Sequence, residues 1–386
     1  MKPKNQIINI ALYILLAGFL RYGVVGLMDK ESLLLKVIAM VIIFGVGIVF
    51  VFRGTANIIE ETTDVLKDRT GLAGGFLQSF GTAFPDMIIG VTAAILSLSV
   101  RESDMARSIN LAIIAAAATF GSNIYNIAHA VWCLYRQNLS DTLDKAVLMF
   151  PPFKFGGKLT PIKGHSAKPS AREMDAAINI LAALTLLTAA VAIFMVVFGQ
   201  VKSLSGVIEG DVYELTRPVG IFLLLLCVGT LYYFRKSERP ESLEKKIVEE
   251  EKYYTKQKTI RIWLDLVLSG IAILLAAESM VRAMEVFAQL THLPFVATGI
   301  LAGIIGCFGE MLVVHNFSVN PKGRIGDAIV GVAMDNIVTT MGAAIVAVMG
   351  GIFLGGNSLI IIFMIILAGN TILIQQIARL KNGIRT

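Results

Sequence analysis

Ten stretches of roughly 20 apolar residues follow one another along this 386-residue chain. A bilayer core takes about 20 apolar residues in helical form. The stretches lie at 7–27, 33–53, 71–98, 109–135, 176–199, 217–234, 262–284, 294–318, 325–349 and 352–377. In lipid every backbone polar group must be satisfied internally, which leaves helices and closed barrels, and segments this long select helices. The composition agrees: 55% hydrophobic and 16% charged, with a mean hydropathy of +0.73. Soluble domains carry roughly 25% charged residues. The predicted class is an all-α polytopic membrane protein of about ten transmembrane helices.

The net charge of +6 does not indicate a nucleic-acid partner, because the charges lie in loops between apolar runs. Their distribution indicates orientation instead. Of 34 Lys and Arg residues, 26 fall on the side that would hold both termini and the two long polar inserts and six on the other, with Arg21 and Lys36 near span ends left out. Even without those inserts, the same side keeps ten. Positive loops stay inside, so both termini are expected in the cytoplasm of a bacterial or archaeal cell, with the protein in its inner membrane. The basic start "MKPKNQ" leads into an apolar run without a small-residue cleavage site, which reads as a retained helix. Cys133, Cys227 and Cys307 are scattered through apolar stretches and form neither a disulfide framework nor a metal spacing.

One span carries the sharpest anomaly. "GGFLQSFGTAFPDMIIGVTAAILSLS", Gly74 to Ser99, holds Pro85 and Asp86 at its middle, behind Gly81 and Thr82. A charge at the centre of a span costs roughly 2.5–3.5 kcal/mol on insertion scales, so it marks a functional site by default. The stretch "VATGILAGIIGCFGEMLVVHNFSVN", Val296 to Asn320, answers it. Aligning Asp86 with Glu310 sets Phe84 over Phe308 and Met87 over Met311. A small-residue helix with an amide cluster follows each acid: "TFGSNIYNIAHA" in one half and "VAMDNIVTTMGA" in the other. "VFRGTANIIEE" and "AAESMVRAMEV" end the span before each.

Three helices are thus repeated in order. The two first helices are the second and the seventh spans, an odd step of five, so the units must lie upside down relative to each other. Inverted repeats of this kind put a site at the bilayer midplane where interrupted helices meet. Pro85 and its glycines are expected to break their helix and free carbonyls there. Carboxylates, amide oxygens and carbonyls together suit a hard cation. The residues that would hold it are Asp86, Glu310, Asn126, Asn123, Thr82, Asn336 and Asp335. Glu278, Glu60 and Glu61, near span ends, are expected to face water.

The organisation that follows is an extra N-terminal helix over 1–32, a first inverted repeat over 33–135 and a cytoplasmic insert over 136–175. Two connecting helices at 176–234 and a charged cytoplasmic linker at 235–261 come next. A second repeat over 262–350 and a last helix with its tail over 351–386 complete the chain.

In "GTAFPDM" at 81–87 and "GSNIYNI" at 121–127 the sequence resembles the calcium/cation antiporter superfamily, which includes the sodium/calcium exchangers. The second half carries a more divergent pair, "GCFGEM" at 306–311 and "MDNIVTT" at 334–340. The resemblance implies ten-helix antiporters that bind Ca²⁺ and Na⁺ alternately at one midplane site. Asp86 and Glu310 would take the two motif acids, with Thr82 near the first. Asn123 and Asn126 fall on the first-half amides, and Asn336 on the first amide of the second half. Thr339 stands where a second amide or an Asp is expected, and Asp335 would compensate.

On this reading the partners are Ca²⁺, Na⁺ and the lipid bilayer, with no resident cofactor, no catalytic residue and no protein partner indicated. Rival readings remain: an exchanger of the same fold coupled to H⁺ or requiring K⁺, a cation sensor that does not transport, and an intramembrane aspartyl protease built on Asp86 and Asp327.

Overall fold

The computed structural model describes residues 6–70, 74–165, 168–200, 212–234, 253–320, 325–350 and 352–385. The side chains of Thr82, Pro85, Asp86 and Asp327 lie outside the described set, as do residues 235–252 of the charged linker.

Eleven α-helices make up the described chain. They are α1 (Gln6–Phe19), α2 (Leu33–Val46), α3 (Arg53–Thr70), α4 (Gly74–Val100), α5 (Met105–Leu143) and α6 (Ala171–Phe198). The rest are α7 (Arg217–Phe234), α8 (Thr259–Thr291), α9 (Phe295–Val319), α10 (Ile325–Gly350) and α11 (Gly356–Arg385). Seven predicted spans coincide with helices long and apolar enough to cross a membrane. The other three fall on α4, α7 and α9, where the apolar stretches among the described residues are Met87–Val100, Arg217–Tyr233 and Phe295–Cys307.

Large apolar side chains point outward all round the bundle, among them Leu15, Val41, Leu186, Leu225, Val267 and Met364. In water such a surface would aggregate; against acyl chains it costs nothing. The interior is lined instead by small residues. Gly303 of α9 lies so close to α5 that a Cβ would sit 2.6 Å from the Ala118 carbonyl oxygen and 2.7 Å from the Ser122 nitrogen. Gly299 and Gly121 meet Ile114 and Ile300 in the same way. Small residues let membrane helices approach closely and replace the missing hydrophobic drive with packing.

The core consists of α4, α5, α9 and α10. The most extensive packing is of α9 on α5, and α10 packs heavily on α4. Each repeat's acid-bearing helix therefore rests on the other repeat's amide-bearing helix, as two inverted halves related by pseudo-symmetry require. Helices α1, α3 and α8 pack together on one flank, and α6, α7 and α11 cover the other.

Several expectations need correction. Helix α4 runs unbroken through Pro85. Proline removes one N–H, and neighbouring helices let a membrane helix absorb that loss without ending. The helix that carries the second span does not stop at residue 53. It passes through a π-helical stretch, Gly47–Phe52, into α3 and continues to Thr70. Helix α5 passes beyond residue 135 to Leu143, where Asp144 caps it in the left-handed conformation. The last predicted span opens with a strand: β4 (Ile352–Gly355) pairs antiparallel with β3 (Val212–Leu215), and α11 starts only at Gly356. Glu278 does not simply face water, for it pairs with Arg21 at 2.7 Å.

The insert after α5 is ordered. Strands β1 (Val147–Leu148) and β2 (Lys158–Leu159) form a hairpin strapped along the last turns of α5. Arg136 donates to the Leu148 carbonyl, Trp132 to Met149, and Gln137 to Thr160. These polar α5 residues are bound to the hairpin, which is why the helix outlasts its apolar run.

Candidate functional site

The crossing of α5 and α9 sets the site. The glycine contact at Gly303 brings the helices together at Ala118 and Ser122, and two turns further along each helix reaches its polar residue. There Glu310 is 2% exposed. The Asn126 side-chain amide donates to Glu310 Oε2. The other carboxylate oxygen, Oε1, is buried with no hydrogen-bond partner among the described residues, and so is Asn126 Oδ1.

Across the core, α10 supplies the counterpart. Asn336 is wholly buried, and neither its Oδ1 nor its Nδ2 has a partner among the described residues. Its backbone carbonyl accepts from the Thr340 hydroxyl at 2.7 Å. Thr339 donates its hydroxyl to Asn123 Oδ1, which bonds α10 to α5 directly. Asp335 is buried one turn before Thr339, with its backbone carbonyl 3.1 Å from the Thr339 hydroxyl.

Asp86 and Thr82 can be placed only along α4. Ala83 and Met87, on either side of Asp86, pack with Val338 of α10. That puts this part of α4 level with Asn336 and Thr339. Of the predicted residues, then, Glu310 is joined to Asn126, while Asn123 is engaged by a residue that the sequence marked only as a departure. No group of three or more His, Cys, Asp or Glu side chains suited to a metal ion occurs among the described residues. The buried oxygens of this region are mainly amides, which a hard cation takes as ligands beside carboxylates.

The chemistry follows from burial. An unpaired amide in an apolar interior costs roughly 1–3 kcal/mol by mutational measures, and an isolated carboxylate far more. Glu310 Oε1, Asn126 Oδ1 and Asn336 Oδ1 are all acceptors, so what they lack is a positive charge or a donor. Three such acceptors favour a cation, while the Asn336 Nδ2 hydrogens need an acceptor of their own among the same groups.

One feature escaped the sequence reading. His129, one turn past Asn126, stacks on His315 of α9 with ring centroids 5.9 Å apart. Phe150 of the hairpin stacks on His315 at 5.7 Å, and Phe155 follows Phe150 at 5.8 Å. A row of rings thus leads from the hairpin to within a turn of the polar cluster. Gly156 sits against the row with φ of +80°, where a Cβ would lie 2.5 Å from the Phe150 ring. The sequence signal was a histidine three residues after a site amide and another five after the acid.

No protein-family model and no curated protein matches the chain. Solved structures do. The H⁺/Ca²⁺ exchanger CAX overlays with a TM-score of 0.56 at 11% identity, covering 100% of this chain and 98% of that one. Native YfkE overlays with a TM-score of 0.55 at 15% identity, covering 98% and 96%. The sodium-calcium exchanger NCX_Mj follows with a TM-score of 0.48 at 14% identity, over 90% and 98%. The overlay with the first two spans both chains nearly end to end, so this chain shares the fold of CAX and YfkE.

Proposed function

We propose that this protein is a secondary active antiporter that carries Ca²⁺ across a membrane in exchange for a monovalent cation, and that it is not an enzyme. The observation that carries the reading is the cluster of buried acceptors on crossing helices from both repeats: Glu310 Oε1, Asn126 Oδ1 and Asn336 Oδ1. The CAX fold likeness supports the same substrate.

In this reading the cation sits between α5, α9 and α10, with Asp86 of α4 as the second acid and Asn123, Asp335 and Thr82 near it. The protein's own residues supply oxygens in place of the ion's water. A buried carboxylate is stable as an anion only beside a positive charge. A carrier emptied of one cation therefore changes sides cheaply only after taking up another, and this couples the two fluxes. Na⁺ is the counter-ion we propose from the motifs of the first half.

A second reading has H⁺ in that role. Thr339 in place of a second amide favours it, as does the description of CAX as an H⁺/Ca²⁺ exchanger. Purified protein in proteoliposomes tests both. Ca²⁺ uptake driven by an outward Na⁺ gradient, and absent with a pH step alone, is the expected result. Uptake driven by the pH step alone makes the counter-ion H⁺. No Ca²⁺ movement under either gradient overturns the antiporter reading.

A further inference from the structure

Among the amide side chains of the cluster, Asn123 is the exception. Asn126 and Asn336 each keep a buried oxygen without a partner among the described residues, whereas Asn123 Oδ1 takes the Thr339 hydroxyl. That hydroxyl also lies 3.1 Å from the Asp335 carbonyl and 3.2 Å from the Asn336 carbonyl of its own helix. A threonine inside a helix ordinarily rests on such a carbonyl. A hydroxyl has one proton to give, and the shortest of the three contacts is the one across the helices, to Asn123.

We propose that Thr339 is a specificity-determining residue, a lock that withholds Asn123 Oδ1 from the bound cation. The proposal rests on the antiporter reading and deepens it. Ca²⁺ gathers six to eight oxygens, so one withheld amide oxygen weakens its binding directly. To recruit Asn123 the ion must break the bond between α5 and α10, and the hydroxyl then falls back on the Asp335 or Asn336 carbonyl. A monovalent competitor that needs fewer oxygens loses less. The lock thus lowers Ca²⁺ affinity more than that of its rival and keeps the ion releasable.

Equilibrium ⁴⁵Ca²⁺ binding to the purified full-length protein in detergent, at fixed Na⁺ and pH, tests this. Thr339→Val keeps shape and removes the hydroxyl; Thr339→Ala serves if the valine variant does not fold. Either is expected to tighten Ca²⁺ binding by about two- to tenfold, the worth of one hydrogen bond. Thr339→Ser, which restores the hydroxyl, should return to the wild-type value. In a Thr339→Val/Asn123→Ala double variant the gain should vanish.

Unchanged or weaker Ca²⁺ binding in Thr339→Val or Thr339→Ala, in protein that still unfolds cooperatively, overturns the lock; weaker binding would make the hydroxyl itself a ligand. If the wild type binds Ca²⁺ and Glu310→Gln does not, that failure concerns the lock alone. If neither the wild type nor any Thr339 variant binds Ca²⁺, the antiporter reading falls and the lock with it.

Discussion

Asn126 gives its side-chain N–H to Glu310, which joins α5 of the first repeat to α9 of the second across 184 residues of sequence. Both residues are buried, so the bond has no water to replace it. Asn126→Ala leaves Glu310 Oε2 without a donor, and a buried polar group stranded in this way costs about 1–3 kcal/mol. We expect a lower thermal midpoint in detergent for Asn126→Ala than for Asn126→Gln, whose longer amide still reaches toward the carboxylate. Equal midpoints would mean that the bond carries no stability.

Much of this arrangement was legible in the sequence. Glu310 and the amide clusters stood out because polar side chains in apolar runs are expensive, and the matched order in two halves pointed to inverted repeats. The path of α4 was not legible: proline predicts a break from local chemistry, but the packing of α4 on α5 and α10 holds the helix through Pro85. The extension of α5 to Leu143 was hidden because Arg136, Gln137 and Ser140 look like loop residues. They are buried on the helix only because the hairpin takes their hydrogen bonds. The Thr339–Asn123 bond was invisible for a related reason. Each residue could be placed on its own helix, but the rotation bringing the two faces together is set by tertiary contacts such as Gly342, where a Cβ would lie 2.7 Å from Met87 Cγ.

The close crossing of α5 and α9 makes a second prediction. At Gly303 the atoms facing an added Cβ are backbone atoms of α5, which cannot rotate away. Gly303→Ala should destabilise by about 2 kcal/mol or more through overpacking, and should weaken cation binding by displacing Glu310 from Asn126. Gly331, with nothing within 4 Å of an added Cβ, is the control. Gly331→Ala should be neutral or stabilise by up to ~1 kcal/mol from helix propensity. Thermal unfolding of both variants checks the pair.

A third prediction concerns the far end of α5. Glu285 of α8 is 2% exposed and is held by Arg107 of α5 at 2.7 Å and by Arg282 at 2.5 Å. Arg282 also reaches Asp29 at 2.7 Å. Removing one partner of a buried ion pair costs about 3–5 kcal/mol. Both arginines are partly open to water, so Glu285→Ala should fall near the low end, ~3 kcal/mol, and Glu285→Gln should cost less. A midpoint unchanged by Glu285→Ala would rule out this network as an anchor between the repeats.

The β3–β4 ribbon gives a pH dependence. Burial raises the Glu214 carboxyl above its ordinary value, with Arg101 and Arg217 opposing the shift. A carboxyl raised in the folded state binds more protons folded than unfolded, so ionising it destabilises the fold. The loss begins as pH rises past the ordinary Glu value of about 4.3 and is complete above the raised value. Glu214→Gln should therefore be more stable than wild type at pH 7, with the difference closing as pH falls below about 4. Midpoints measured from pH 4 to 8 decide it; a gap that widens toward acid would reverse the sign.

The most direct test of the central claim is Ca²⁺ binding to the purified protein, measured for wild type and Glu310→Gln. Glutamine keeps the shape and an acceptor for Asn126 but removes the charge. Deleting a buried charge partner costs about 2–5 kcal/mol. We predict at least ~30-fold weaker Ca²⁺ binding with an unchanged thermal midpoint. Wild-type affinity in Glu310→Gln would contradict the account, because the cation would then be held somewhere other than between α5, α9 and α10.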